Sequence, residues 1–127
     1  MMIGIDLVKI SRIEKFYERF GDKALKRFLD SSEIKLAKSA NTIAGFWATK
    51  EAVAKALGLG IGLKCSFQDI KIHKDANNAP YFTLSKNLIE ELNITDTSLS
   101  ITHEDEYAIA VVAIESSCKK NRILYHN

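Results

Sequence analysis

Apolar positions recur along this chain with two periods, and the switches between them mark its elements. Met2 to Val8 is apolar apart from Asp6 and predicts a buried strand. Ser11 then opens a helix, and Glu14 three residues on completes a capping box. Ile13, Phe16, Tyr17 and Phe20 give that helix an apolar stripe, and Gly21 stops it. A short helix is predicted from Asp22 to Leu29, and a third starts at Asp30 and Glu33 and runs through Ile34, Leu36 and Ala37. Asn41 or Thr42 caps a long central helix that reaches about Leu57. Ile43, Phe46, Trp47, Val53, Ala54 and Leu57 share one arc of it, which faces the core. Lys50 falls inside that arc, so it must snorkel or meet a buried anion. Glu51 and Lys55 stand at the arc's border. Phe67 to His73 alternates as a strand, Tyr81 to Leu84 is a second, and Asp75 to Pro80 is turn chemistry, which together predict a hairpin. Ser85 caps a helix through Leu88, Ile89 and Leu92. Ser98–Thr102 and Tyr107–Glu115 are the last strands, joined tightly by His103 to Glu106.

Strands, a block of helices, then strands and one helix lack a βαβα rhythm. The predicted class is α+β, with a mainly antiparallel sheet packed against the long central helix. At 127 residues the chain suits one domain, placed at 1–118, with a polar tail at 119–127. The start carries no basic leader and no apolar core of a secretory signal, and no apolar run is long enough to span a membrane. Cys65 and Cys118 are isolated and read as reduced thiols of a cytoplasmic protein. His73, His103 and His126 have no zinc spacing. A net charge of only +2 points away from nucleic acid. Charge is nevertheless uneven. Lys9, Arg12, Lys15, Arg19, Lys23, Lys26 and Arg27 outnumber Glu14, Glu18 and Asp22, so this stretch is either a solvated helix face or a dock for an acidic partner.

Four features carry candidate chemistry. Asp6 lies among apolar residues and needs a cation, hydrogen-bond donors or a strand-end position. Glu51 sits about 40° from Lys55 on the helix, in the favoured order for an ion pair four residues apart. The sharper alternative joins Asp6 and Glu51 through Mg²⁺, which takes one or two carboxylates and completes its shell with water and substrate phosphate. Lys50 and Lys55 would then bind the same phosphates as point charges. Gly58, Gly60 and Gly62 form either a flexible helix stop or a backbone that approaches a phosphate closely. His103 precedes three acids and is either a structural hydrogen-bonder or a charged partner for phosphate.

Together these residues resemble the holo-acyl-carrier-protein synthases, small bacterial members of the phosphopantetheinyl transferase superfamily. Gly4-Ile5-Asp6-Leu7-Val8 with Ile10-Ser11-Arg12-Ile13 is similar to the N-terminal signature. Trp47-x-x-Lys50-Glu51-Ala52-x-x-Lys55 is similar to the superfamily's most diagnostic motif. Gly58-x-Gly60-Ile61-Gly62, Phe67-Gln68-Asp69-Ile70 and Ser100-Ile101-Thr102-His103 follow in family order, and the likeness spans residues 2–115. It implies the phosphopantetheinyl transferase fold and the transfer of 4′-phosphopantetheine from coenzyme A to a serine of apo acyl carrier protein. Adenosine 3′,5′-bisphosphate would leave, and the reaction would support fatty acid biosynthesis. The resemblance assigns Asp6 and Glu51 to the metal, and Glu51 and Lys55 to catalysis. Lys50, Lys55, Gly58, Gly60, Gly62 and His103 fall to coenzyme A, and Arg12 to docking the carrier. It also implies a homotrimer. Two positions depart from the pattern: Phe46 replaces a common arginine, and Glu104 a small hydroxyl residue. A non-catalytic module that binds a carrier or nucleotide is the competing reading, with the acids as structural ion pairs.

Overall fold

A computed structural model describes residues 1–118 and 123–127. The elements run β1 (Met2–Lys9), α1 (Ile10–Phe20), α2 (Asp22–Lys26), α3 (Ser31–Leu36), α4 (Ala40–Leu57), β2 (Ile70–Lys74), β3 (Pro80–Leu84), α5 (Lys86–Leu92), β4 (Ile94–Glu104) and β5 (Tyr107–Ser116). β1 and β4 both pair antiparallel with β5, giving a three-stranded sheet in the order β1-β5-β4. β2 and β3 form the expected hairpin. The α+β class and the antiparallel sheet against a long helix are as the sequence predicts.

α4 lies on the sheet because its lining is small. Ala44, Ala48, Ala52 and Ala56 repeat every four residues and are all buried, which makes one flat stripe along the helix. β1 meets that stripe with Gly4, where an added methyl would overlap the Ala52 carbonyl and come within 2.8 Å of the Ala56 nitrogen. Eleven of the eighteen residues of α4 are buried, so it faces core on several sides and not on one arc alone. Its other side joins a second cluster with Phe28, Leu29, Phe46 and Ile72. Phe28 meets Trp47 edge-on, ring centroids 5.0 Å apart.

Several local expectations change. β1 is not buried throughout, because the sheet carries a helix on one face only. Gly4 and Val8 are buried, while Ile3, Ile5 and Leu7 point the other way and are 66%, 57% and 56% exposed. α1 starts at Ile10 without a Ser11 cap, since the Ile10 N–H donates to the Glu106 carbonyl at 2.8 Å and a tertiary contact does the cap's work. Ser39, not Asn41 or Thr42, caps α4 by accepting from the Thr42 N–H at 3.2 Å. α2 ends at Lys26, three residues short of the predicted Leu29. Phe67–Asp69 is a turn of 3-10 helix closed by Ser66 and Asp69, so the strand begins only at Ile70. Ser85 precedes α5 but makes no side-chain cap. His103 and Glu104 belong to β4, and the turn is Asp105-Glu106 with Asp105 at φ 38. α3 is capped at Asp30, where a helix start is expected, and Asp30 and Glu33 close it with a capping box. Of the polar tail, residues 119–122 lie outside the described residues, and 123–127 form no helix or strand.

Candidate active site

Strand alternation turns Asp6 to the same face as Gly4 and Val8, toward α4. The close seating of Gly4 on Ala52 brings that strand against the turn of α4 that carries Glu51 and Lys55. Lys55 Nζ donates to Asp6 Oδ1 at 2.8 Å and to the Ile5 carbonyl at 3.2 Å. The ion pair therefore runs from Lys55 to Asp6, between elements, and not to Glu51 one turn away. Glu51 has its carboxyl pushed above its ordinary range, first by burial and then by the negative charge of Asp6. Lys55 and Arg12 act in the opposite sense. Asp6, Glu51, Lys55 and Arg12 thus share one electrostatic neighbourhood although they come from β1, α1 and α4. Two acids side by side, held by rigid backbone, have the donor chemistry that Mg²⁺ accepts, which needs no third protein acid when a substrate supplies phosphate oxygens.

Lys50 requires a correction. It was expected at the coenzyme, but it is 1% exposed. Its Nζ donates to Glu33 Oε1 at 2.9 Å and to the Phe67 carbonyl at 3.1 Å. Glu33 also accepts from the Asp30 N–H at 2.8 Å and the Ile72 N–H at 2.9 Å. Burial pushes the Lys50 ammonium down and Glu33 works against that. The residue meets a buried anion, one of the two outcomes its place in the apolar arc allows, and its side chain is closed to solvent.

The glycine loop closes α4. Gly58 adopts φ 72 and Gly60 φ 65, a left-handed backbone that other residues resist. The N–H groups of Gly58, Gly60 and Gly62 donate to Lys55, Ala54 and Cys65 carbonyls. These three glycines therefore offer a surface without side chains and not free amide donors.

His103 sits elsewhere along α4. It lines a cavity of about 160 Å³ with Asn41, Thr42, Gly45, Lys74 and Asn78. Gly45 and Glu51 are separated by roughly 9 Å along the helix axis at 1.5 Å per residue and by about 120° around it, so this cavity and the carboxylate pair lie on different faces of α4. Lys74 and Asn78 were missed from sequence. The signal was there in the hairpin: register sets Lys74 opposite Pro80 beside the turn, and Asn78 holds φ 63, which asparagine tolerates. Glu104 lies on the opposite face of β4, lining a separate cavity with Leu7, Thr102 and Ile109, so it does not face His103's cavity. Phe46 is 1% exposed in the second cluster and presents no cation.

Arg12 opens a third hollow of about 280 Å³ with Lys15, Phe16, Arg19, Phe20 and Trp47, where cations alternate with aromatic rings. Arg19 lies 5.1 Å above the Phe20 ring.

The profile of the 4′-phosphopantetheinyl transferase superfamily matches residues 2–112. A holo-acyl-carrier-protein synthase of Sulfurimonas denitrificans is 57% identical over 116 residues, covering 91% of this chain and 96% of that protein. Its counterpart from Nautilia profundicola is 54% identical over 113 residues, 89% of this chain and 98% of that one. Among solved structures, the Helicobacter pylori enzyme in complex with coenzyme A superposes with a TM-score of 0.88 at 53% identity, over 90% of this chain and all 100% of that one. The Neisseria meningitidis enzyme gives 0.82 at 35% identity, over 91% and 98%. The chain belongs to the 4′-phosphopantetheinyl transferase superfamily, in its holo-acyl-carrier-protein synthase branch, and is an enzyme of that class.

Proposed function

We propose that this enzyme moves the 4′-phosphopantetheine group of coenzyme A to a serine hydroxyl of an apo acyl carrier protein, in support of fatty acid biosynthesis. The carrier serine oxygen bonds to the phosphorus that bears the pantetheine. The bond from that phosphorus to the bridging oxygen breaks, and adenosine 3′,5′-bisphosphate leaves. The observation that carries this reading is the convergence of Asp6, Glu51 and Lys55 from β1 and α4. Mg²⁺ held by Asp6 and Glu51 would neutralise the diphosphate and polarise it toward attack. Glu51, whose basicity is raised by burial and by Asp6, suits the removal of the serine proton. Lys55 supplies a mobile positive charge to the diphosphate.

The coenzyme's remaining phosphate fits the His103 cavity, where Lys74 provides the cation that Phe46 does not. Gly58, Gly60 and Gly62 let the coenzyme run close to the backbone. The basic and aromatic hollow at Arg12 suits an acidic carrier. Residues 1–118 act as one catalytic domain. The uncovered apolar side of the sheet, with Ile3, Ile5 and Leu7, suits burial between subunits of a homotrimer. Free thiols at Cys65 and Cys118 suit the cytoplasm, and among the described residues no helix is long and apolar enough to cross a membrane.

The test is direct. The enzyme is incubated with coenzyme A, Mg²⁺ and an apo carrier, and the carrier is weighed by mass spectrometry. A gain of one phosphopantetheine mass, lost on chelation, is expected. A carrier of unchanged mass under all conditions refutes the reading.

A further inference from the structure

We propose that Lys55 is the resident counter-ion of Asp6 and competes with the divalent cation for that carboxylate, so that coenzyme and metal bind as a coupled pair. The proposal rests on reading Asp6 and Glu51 as the metal acids. Three observations carry it. Lys55 Nζ is bonded at 2.8 Å to Asp6 Oδ1, one of the two oxygens that Asp6 can offer a metal, and is anchored a second time on the Ile5 carbonyl at 3.2 Å. The Asp6 side chain is only 14% exposed and its strand is locked by pairing with β5, so the acid cannot turn away to offer itself elsewhere. The Lys55 side chain is 56% exposed on a flexible four-carbon stem, so the lysine is the partner able to leave.

A divalent ion binds a carboxylate oxygen at about 2.0–2.1 Å. An ammonium held on that same oxygen would then face a dication across a single atom. Each weakens the other's hold on Asp6. In water alone Lys55 loses a charged partner and a carbonyl when it leaves. Beside a diphosphate it exchanges them for phosphate oxygens, its preferred acceptors. The coenzyme therefore releases Asp6 to the metal, and by linkage the metal tightens the coenzyme by the same factor.

The experiment measures Mn²⁺ binding to the whole enzyme by electron paramagnetic resonance, with and without coenzyme A. It compares wild type, Lys55→Met, Lys55→Arg and Arg12→Gln, with circular dichroism as a check of folding. Without coenzyme, Lys55→Met should bind Mn²⁺ about tenfold more tightly than wild type, a change of ~1.4 kcal/mol. Lys55→Arg should stay near wild type, because it keeps a cation on Asp6. Arg12→Gln should move affinity no more than about threefold, since its charge acts only at a distance. Coenzyme A should tighten Mn²⁺ less in Lys55→Met than in wild type. Equal Mn²⁺ affinity in Lys55→Met and wild type overturns the proposal. So does an Arg12→Gln effect as large as that of Lys55→Met. If no protein binds Mn²⁺ even with coenzyme, the metal assignment of Asp6 and Glu51 itself falls, and the competition with it.

Discussion

Replacing Lys50 by Met tests how the fold holds the helix that carries Glu51. Lys50 and Glu33 are each 1% exposed and meet at 2.9 Å, so the pair is closed to water. Breaking a buried pair by removing one partner costs about 3–5 kcal/mol, because the other charge stays buried. Glu33 keeps two N–H donors here, from Asp30 and Ile72, which places Lys50→Met near the lower bound, about 3 kcal/mol. For a domain of 127 residues that is a fall in Tm of roughly 12 °C. Glu33→Ala should cost more, about 5 kcal/mol, since it orphans both N–H groups and leaves Lys50 with the Phe67 carbonyl alone. The assay is urea denaturation followed by circular dichroism at fixed protein concentration and pH 7. A loss under about 1 kcal/mol would show that water reaches the pair and that the reasoning is wrong.

Four further outcomes follow from the same geometry. Gly4→Ala should destabilise by about 3 kcal/mol in the same denaturation assay, because its methyl overlaps the Ala52 carbonyl and α4 must shift; a neutral result would mean that helix and strand are not in close contact. Glu51→Gln should lower carrier modification at least ~100-fold while raising Tm near pH 7. The sign comes from the raised carboxyl: ionising it penalises the folded state as pH climbs past the ordinary 4.5, so the gain should vanish below that pH in a melting series. Asp30→Ala should cost about 1 kcal/mol through loss of the cap. Burial raises the Asp30 carboxyl, but bonds from Glu33 N–H, Ser32 and Lys71 outweigh this and hold it at about 2. Wild-type stability should therefore fall between pH 4 and 2 more steeply than that of the variant, as acid titration by circular dichroism will read. Ile5→Glu should turn the proposed homotrimer into monomers in analytical ultracentrifugation, and a mass unchanged from wild type would remove the outer sheet face from the proposed interface.

Local chemistry was readable wherever one stretch of chain settled it alone. The start of α3 at Asp30, the β2–β3 hairpin and the end of α4 at Gly58 are local, and each formed as expected. Caps failed where a distant group took over. Ser11 lost its role because the Glu106 carbonyl, from the far end of the chain, already receives the first N–H of α1. The outward turn of Ile3, Ile5 and Leu7 was hidden for a related reason. A run of apolar residues reads as doubly buried, and only the layer count reveals that one face is bare.

The sequence by itself determined the element types, the class and the identity of the residues able to do chemistry: two remote acids, a lysine one turn from one of them, a glycine stop and a histidine on a strand. It did not determine who pairs with whom. Helical spacing made Glu51 the natural partner of Lys55, yet the lysine reaches Asp6, 49 positions away in the chain. The resemblance sent Lys50 to the coenzyme, while packing enclosed it with Glu33, a buried anion of the kind its place in the apolar arc allowed. Strand period alone separates His103 from Glu104, but which face each one meets depended on where α4 lay. Spacing along a backbone fixes direction to within a face. The choice of partner is a competition among every charge the folded chain brings near, weighted by burial, and that competition exists only in three dimensions.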